Sequence, residues 1–224
     1  MNIILFGPNG SGKGTQGAAI GKRYAISHIE TGVIFRQNID QGTELGNAAR
    51  SYIERGELVP DEITIPMILN RLKEKDAKSG WLLDGFPRNL AQAEALWLAL
   101  AKELIVLDYV IEIVLDRQTA KRRIMGRRLC TVDNNHPNNV FIAEIMPLMK
   151  DGGYVCRVCG NGDLITRKDD QDEEAIDRRH SIYFDSRQGT SAAIDFFRDK
   201  TEVLSIAGLP PVPEVSREIF HRLP

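Results

Sequence analysis

A glycine-rich loop near the N-terminus has the residue types and spacing of a phosphate-binding site. Residues 7–13 read GPNGSGK, and Lys13 is followed by Gly14 and then by Thr15. In the common pattern a hydroxyl residue directly follows the lysine, so here the hydroxyl lies one residue later. Backbone N–H groups of residues 9–15 are expected to wrap a phosphate chain, with Lys13 reaching the terminal phosphates. The alternative is a glycine-rich turn with a surface lysine.

Several arginines could supply the fixed cations that phosphoryl transfer needs. Two anionic groups must approach each other, so catalysis consists mostly of positioning and charge neutralisation. The planar guanidinium binds phosphate through two hydrogen bonds and stays charged when buried. The candidates are Arg36, Arg88, Arg123, Arg127, Arg167 and Arg178. The alternative is that these side chains are solvated or ion-paired, which is the preferred interpretation for Arg122, Arg128 and Arg179.

The sequence DGFPR at residues 84–88 follows the apolar run 81–83. If that run is a buried parallel strand, Asp84 and Arg88 lie at its carboxyl end, where such sheets bind ligands.

The three cysteines and one histidine have the spacing of a structural metal site. Cys130, His136, Cys156 and Cys159 form the pattern C-x5-H-x19-C-x2-C. Four protein ligands leave no open position for chemistry, so the site would order the surrounding segment. Zn²⁺, Co²⁺ or Fe²⁺ would each fit a sulfur-rich tetrahedral set. Asp133 is the alternative fourth ligand to His136, and three free thiols without a metal are the remaining possibility.

Strand-like and helix-like segments alternate along the chain. Apolar runs at 2–6, 81–83, 109–115 and 202–207 predict buried strands, and helices are predicted over 13–24, 89–103, 116–128 and after Pro213. This alternation predicts an α/β fold with a parallel sheet covered by helices on both faces. Residues 31–75 are helical in pattern without a strong strand, and residues 129–166 show little periodicity.

Composition limits the classes of function. The chain has 224 residues and a formal net charge of −2, so no overall basic field attracts nucleic acid or an anionic membrane. No stretch has the length of a transmembrane helix, and the N-terminal apolar run is too short for a signal peptide. Three cysteines without a signal peptide favour thiols or metal ligands over a disulfide framework, and the cytoplasm is the expected location.

The combined motifs resemble the adenylate kinase family of nucleoside monophosphate kinases. The resemblance rests on GPNGSGKGTQ, on Thr31-Gly32 with Phe35-Arg36, and on GELVPD at 56–61. It continues with DGFPR and Gln92, with Gly126-Arg127-Arg128, and with TRKDD at 166–170 followed by Arg178. The matches span residues 1 to about 180 in family order. One departure is Val33-Ile34-Phe35 after Thr-Gly, where the family commonly has an acidic residue first.

The resemblance implies transfer of a phosphoryl group from Mg·ATP to AMP, giving two ADP. It implies catalytic roles for Lys13, Asp84, Arg88, Arg127, Arg167 and Arg178. ATP would contact Gly10, Ser11, Gly12, Lys13, Gly14, Thr15, Arg123 and Arg127. AMP would contact Thr31, Arg36, Glu57, Leu58, Val59, Gly85, Arg88, Gln92, Arg167 and Arg178. A pair at Asp169 and Asp170 would orient arginines.

The resemblance also implies three units and a monomeric protein. The phosphate-loop core would comprise residues 1–30, 61–129 and 167–224. Residues 31–60 would form a monophosphate-binding insert, and residues 130–166 would form a metal-binding lid over ATP. The alternatives are a kinase for UMP or CMP, a GTP-using AMP kinase, or, from another class, a nucleotide switch or nucleic-acid-binding module.

Overall fold

The computed structural model describes all residues from Met1 to Pro224. The strands are β1 (Asn2–Phe6), β2 (Ser27–Glu30), β3 (Trp81–Asp84), β4 (Tyr109–Val114), β5 (Leu129–Cys130), β6 (Leu148–Lys150), β7 (Gly153–Val155), β8 (Leu164–Ile165) and β9 (Val203–Ala207). The helices are α1 (Lys13–Tyr24), α2 (Thr31–Asp40), α3 (Glu44–Glu54), α4 (Asp61–Arg71), α5 (Leu90–Lys102), α6 (Arg117–Gly126), α7 (Glu173–Tyr183), α8 (Thr190–Arg198) and α9 (Val212–Arg222).

Five strands form a parallel sheet in the order β2-β3-β1-β4-β9. Strand β1 is central, and its alternate side chains point to opposite faces. Ile4 and Phe6 belong to one buried cluster of 18 residues, whereas Ile3 and Leu5 belong to another of 12. Both faces of the sheet are therefore covered, which confirms the predicted α/β fold and explains the unbroken apolar run of β1.

No strand or helix was predicted for residues 27–30, which form β2. Its sequence is SHIE, and only Ile29 is fully buried. This edge strand exists because its backbone pairs with β3, with Ser27 opposite Trp81 and Glu30 opposite Asp84. A polar run of four residues carries no strand signal of its own, so tertiary pairing decides its structure. Helices α7 and α8 were likewise not predicted.

Two segments stand apart from the main core. Helices α2 and α3 pack around a small cluster of Phe35, Ala49 and Val59. Residues 129–166 contain two two-stranded sheets, β5-β8 and β6-β7. None of the three hydrophobic clusters includes a residue of 130–166. Burial of apolar side chains therefore cannot account for the order of this segment. No helix of the chain is both long enough and apolar enough to cross a membrane.

Candidate active site and metal centre

The phosphate loop connects β1 to α1, as the sequence predicted. Gly12 precedes the helix with a φ of 95°, and no side chain caps the first turn, so the helix N–H groups remain available to a ligand. Gly10 also has a positive φ of 94°, and a Cβ there would lie 2.3 Å from the Ala120 carbonyl oxygen. Lys13 Nζ donates to the carbonyl oxygens of Gly7 (2.6 Å) and Pro8 (3.2 Å). Burial lowers the pKa of Lys13 to about 8.

Two cavities open beside this loop and share one wall. The larger, about 300 Å³, is lined by loop residues Asn9 to Gln16, by Arg123 and by residues 208–212. The smaller, about 130 Å³, is lined by residues from α2 and from the segment before α4. Four arginines line both cavities: Arg36, Arg88, Arg127 and Arg167. All four were predicted from the sequence as phosphate-binding candidates, and the fold brings them together from distant segments.

Arg36 and Arg88 have no acidic partner in the fold. Arg36 makes no hydrogen bond or ion pair, and the Arg88 side chain bonds only to the Gly85 carbonyl oxygen, at 2.8 Å. Burial, with a smaller contribution from neighbouring guanidinium groups, lowers the pKa of each to about 10. Cations that are buried and crowded in this way are stabilised when an anion enters the cavity.

Arg127 and Arg167 are instead held by acids. Arg127 donates to both carboxylate oxygens of Asp170, from Nε at 2.9 Å and from Nη2 at 2.8 and 2.7 Å. Arg167 pairs with Asp169, its Nε lying 2.9 Å from Oδ1. Asp169 and Asp170 thus each contact an arginine of the shared wall, and their orienting role stays a prediction.

The structure places Arg179, rather than Arg178, in the cleft. Arg179 lines the smaller cavity, pairs with Asp169, and is 9 % exposed at its side chain. Arg178 is 41 % exposed, pairs with Glu174, and donates to the Arg55 carbonyl oxygen. It lines neither cavity. This differs from the sequence interpretation because consecutive residues of a helix point about 100° apart, and the packing of α7 selects which one faces inward.

Arg123 lies in the larger cavity, where it was expected. Its Nη1 donates to the Gly208 carbonyl oxygen at 2.7 Å and its Nη2 to that of Leu209 at 3.0 Å. The two bonds fix the plane of the guanidinium, whose face can stack on an aromatic base. Arg122 is exposed, and Arg128 donates to the carbonyl oxygens of Met125 and Arg127, although its side chain also lines the larger cavity.

The predicted monophosphate residues line the smaller cavity: Thr31, Arg36, Glu57, Leu58, Val59, Gly85, Arg88, Gln92 and Arg167. Gln92 is fixed on both sides, since its Oε1 accepts from the Arg88 backbone N–H (2.8 Å) and its Nε2 donates to Asp61 Oδ1 (2.6 Å). The Thr31 hydroxyl donates to the Asp84 carbonyl oxygen at 3.2 Å. Asp61 is the last residue of the GELVPD motif, and its contact with Gln92 was not predicted from the sequence.

Asp84 is a buried carboxylate that faces the larger cavity. Its side chain is 9 % exposed, and no donor in the chain is hydrogen-bonded to it. Burial opposes ionisation of Asp84, but His28 and Lys13 outweigh it and hold the pKa of Asp84 below its usual value. An ionised carboxylate with free oxygen atoms beside a phosphate loop fits a hydrated Mg²⁺.

The four predicted metal ligands come together in residues 130–166. The ligand atoms of Cys130, His136, Cys156 and Cys159 all lie within 4.8 Å of one another. Cys130 Sγ is 3.7 Å from Cys159 Sγ, and Cys156 Sγ is 3.5 Å from His136 Nδ1. Ligands about 2.3 Å (sulfur) and 2.1 Å (nitrogen) from one tetrahedral ion lie about 3.8 and 3.6 Å apart, so the donor set fits such an ion.

Asp133 lies behind His136 and not among the clustered ligands. Its Oδ2 is 3.7 Å from His136 Nε2, on the opposite side of the ring from the cysteines. A carboxylate in this position orients a metal-bound imidazole. His136 therefore lies among the clustered sulfur and nitrogen atoms, whereas Asp133 does not.

The cysteine sulfurs accept hydrogen bonds that favour thiolates. Asn138 Nδ2 lies 3.3 Å from Cys156 Sγ, and the Val132 N–H lies 3.4 Å from Cys130 Sγ. Burial alone would raise the pKa of Cys156, but hydrogen bonds from the Cys159 backbone and from Asn138 lower it to about 6. Burial raises the pKa of Cys130.

A phosphate loop after the central strand, next to two cavities that share a wall of arginines, defines a nucleotide phosphotransferase of the phosphate-loop class. A sequence model of the family described as adenylate kinase matches residues 5–202. An adenylate kinase of Desulfosudis oleivorans is 58 % identical over 229 residues, covering 100 % of both chains. That of Desulfotalea psychrophila is 59 % identical and covers 99 % of both chains. That of Nitratidesulfovibrio vulgaris strain Hildenborough is 62 % identical over 199 residues, covering 89 % of this chain and 86 % of the relative.

The chain belongs to the adenylate kinase family, whose reaction converts ATP and AMP into two ADP. The resemblance stated from the motifs is thereby confirmed, as is the interpretation of the chain as a phosphotransferase.

Proposed function

We propose that this chain transfers the γ-phosphoryl group of Mg·ATP directly to AMP where its two cavities meet. The observation that carries the proposal is the shared wall, in which Arg36 and Arg88 face both cavities without an acidic partner. Two anionic tails that meet at this wall would supply the missing negative charge. No covalent intermediate is needed, because the cations position both tails for in-line displacement.

ATP is assigned to the larger cavity. The phosphate chain lies along Gly10, Ser11, Gly12, Gly14 and Thr15, and Lys13 moves from its carbonyl partners to the terminal phosphates. Arg123 stacks on the base, and Arg127 neutralises charge on the transferred group. Asp84 is the residue that would hold Mg²⁺ through water, and the bound ion would supply charge neutralisation on the phosphates.

AMP is assigned to the smaller cavity. Arg36 and Arg88 bind its phosphate, while Thr31, Leu58, Val59, Gly85 and the fixed amide of Gln92 surround the nucleoside. Arg167 and Arg179, both paired with Asp169, approach the phosphate from the lid side. In this proposal Arg179 takes the catalytic and AMP-binding role that the sequence analysis gave to Arg178.

Residues 31–60 and 130–166 are proposed as the moving units. The small cluster around Phe35 supports the first as a packed unit, and the cysteine-histidine site supports the second. Closure of both would exclude water, which is a competing phosphoryl acceptor. We further propose that Zn²⁺, or Co²⁺ or Fe²⁺ in its place, binds the lid ligands, and that the chain acts as a cytoplasmic monomer, as the family resemblance implies.

The acceptor is tested by incubating the protein with Mg·ATP and each of AMP, UMP, CMP and GMP, followed by ³¹P NMR. We expect two ADP for each AMP consumed and no free phosphate. A higher rate with UMP or CMP than with AMP would show that one of those monophosphates, and not AMP, is the preferred acceptor. Free phosphate that does not depend on an acceptor would identify an NTPase and remove the roles given to the smaller cavity.

A further inference from the structure

Three metal-ligating side chains meet at the carboxyl edge of the sheet, outside the cysteine cluster. They are His28 and Glu30 of β2 and Asp84 of β3, and their ligand atoms all lie within 4.8 Å of one another. Glu30 and Asp84 are register partners on adjacent parallel strands, and His28 lies two residues before Glu30. Side chains two residues apart on a strand project from the same face.

One ligand atom of each residue lies within 4.8 Å of the other two, and His28 Nε2 is 3.6 Å from Asp84 Oδ2. The other ring nitrogen, Nδ1, is 4.0 Å from Glu30 Oε1, but it faces away from an ion bound at Nε2, so this is not a distance between two ligands of that ion. Two ligands each about 2.1 Å from a common ion lie about 3.0 Å apart at right angles and about 4.2 Å apart on opposite sides. The His28–Asp84 separation falls between these limits but is too long for a hydrogen bond.

One of the three groups lacks the partner that burial demands, since His28 Nε2 is a buried atom with no hydrogen-bond partner. The Asp84 carboxylate accepts no hydrogen bond either, although His28 Nε2 lies 3.6 Å from its Oδ2. The nearby cation Lys13 does not satisfy them, since its Nζ donates to Gly7 and Pro8. Buried polar groups normally have partners, so this arrangement indicates an absent one.

The neighbouring helix leaves space for the imidazole ring. A Cβ on Gly17 of α1 would lie 2.4 Å from His28 Nε2, which no side chain could tolerate without movement. Glu30 is fixed from the other side, because Asn135 Nδ2 donates to its Oε1 at 3.0 Å, leaving Oε2 without a protein donor. Glu30 is thus held in place, and the absence of a side chain at Gly17 gives the His28 ring its space.

We propose that His28, Glu30 and Asp84 form a binding site for a divalent first-row transition ion, which the chain takes up even without nucleotide. Two carboxylates alone would suit Mg²⁺, but an imidazole nitrogen favours transition ions over Mg²⁺. The inference rests on the proposed function in one respect, namely that Asp84 is the acid assigned there to Mg²⁺. In the presence of ATP the same ion would contact its phosphates, and the site would set which metal supports transfer.

The test uses Mn²⁺ as the probe, because thiolates bind it poorly and the lid ligands can first be filled with Zn²⁺. Electron spin echo envelope modulation on the nucleotide-free, zinc-loaded protein detects a ¹⁴N nucleus bonded to Mn²⁺. We expect one Mn²⁺ per chain with imidazole ¹⁴N modulation. His28→Gln should remove the modulation and weaken Mn²⁺ binding by at least about tenfold, the range for altered metal environments.

Glu30→Gln should weaken Mn²⁺ binding and keep the nitrogen signal. The matched control is Glu144→Gln, which removes the same charge from an exposed residue of the larger cavity outside the cluster. It should leave the Mn²⁺ dissociation constant within about twofold.

A wild-type spectrum without ¹⁴N modulation would overturn the proposal, as would a modulation that persists in His28→Gln. Both results are read from the Mn²⁺ spectra, so the turnover of the variants does not have to be measured. Phosphoryl transfer with Mg²⁺ is followed separately by ³¹P NMR: intact transfer with no Mn–nitrogen signal refutes this inference alone, whereas no transfer to any monophosphate refutes the proposed function.

Discussion

The side-chain amide of Asn135 donates a hydrogen bond to Glu30 at 3.0 Å, joining residues 130–166 to the end of β2. The Thr15 hydroxyl donates to the Asn135 carbonyl oxygen, also at 3.0 Å. A Cβ on Gly14 would lie 2.4 Å from Asn135 Oδ1. Gly14 and Thr15, which follow the loop lysine, therefore make room for Asn135 and bond to it. Asn135 directly precedes His136, a proposed metal ligand.

Asn135→Ala should weaken ATP binding, because residues 130–166, proposed as the lid, lose their hydrogen bond to the Glu30 carboxylate. We expect the KM for ATP to rise about five- to tenfold. This is less than the full loss of a hydrogen bond to a charged group would cause, because the contact is partly solvated. Asn134→Ala is the control, as Asn134 lines the same cavity but its side chain makes no hydrogen bond. Steady-state kinetics with ATP varied measures both, and equal effects of the two substitutions would contradict this role for Asn135.

Arg179→Ala should lower turnover by about 10² or more, the range for lost arginine contacts to a transferring phosphoryl group. Arg178→Ala should stay within about threefold of wild type, because its exposed side chain contacts only Glu174 and Arg55. The two variants lose the same charge from neighbouring positions of α7, so the comparison isolates position. A larger loss in Arg178→Ala would restore the sequence interpretation and remove Arg179 from the site.

The pKa of Lys13, which burial lowers to about 8, gives a pH prediction with a definite sign. A lysine with a lowered pKa is charged below that pH and neutral above it, so nucleotide-free protein attracts ATP less as pH rises past about 8. We expect kcat/KM for ATP to fall above pH 8. Bound phosphates favour the charged lysine and so raise its pKa in the complex. The fall in kcat should therefore occur at a higher pH than the fall in kcat/KM.

Lys13→Ala is the reference for this prediction. Its turnover should be lower by about 10²–10⁵, as for other electrostatic donors in phosphoryl transfer, and its kcat/KM should lack the break near pH 8. A break at the same pH in both proteins would assign the titration to another group.

Local patterns predicted the sites that depend on local structure. The loop GPNGSGK and the sequence DGFPR each follow a buried strand, and strand, turn and helix are encoded within a few residues. Where tertiary contacts determine the structure, the sequence alone did not predict it. Strand β2 depends on pairing with β3, and the choice of Arg179 over Arg178 depends on how α7 packs. Cys-His spacing indicated the metal ligands, but not that Asp133 lies behind His136.

Metal removal should disorder the lid and leave the core folded, because no hydrophobic cluster includes a residue of 130–166. Chelation should therefore abolish hydrogen-exchange protection in this range, preserve it in β1 and β4, and slow turnover. His136→Ala should lose the zinc, whereas Asp133→Asn should bind it about 10–100-fold more weakly, as expected when an orienting carboxylate is lost. Zinc content and competition with a chromophoric chelator measure both. If Asp133→Asn lost the metal and His136→Ala kept it, the aspartate would be the ligand. Unchanged protection and turnover after chelation would show that the segment is ordered by its backbone pairing alone.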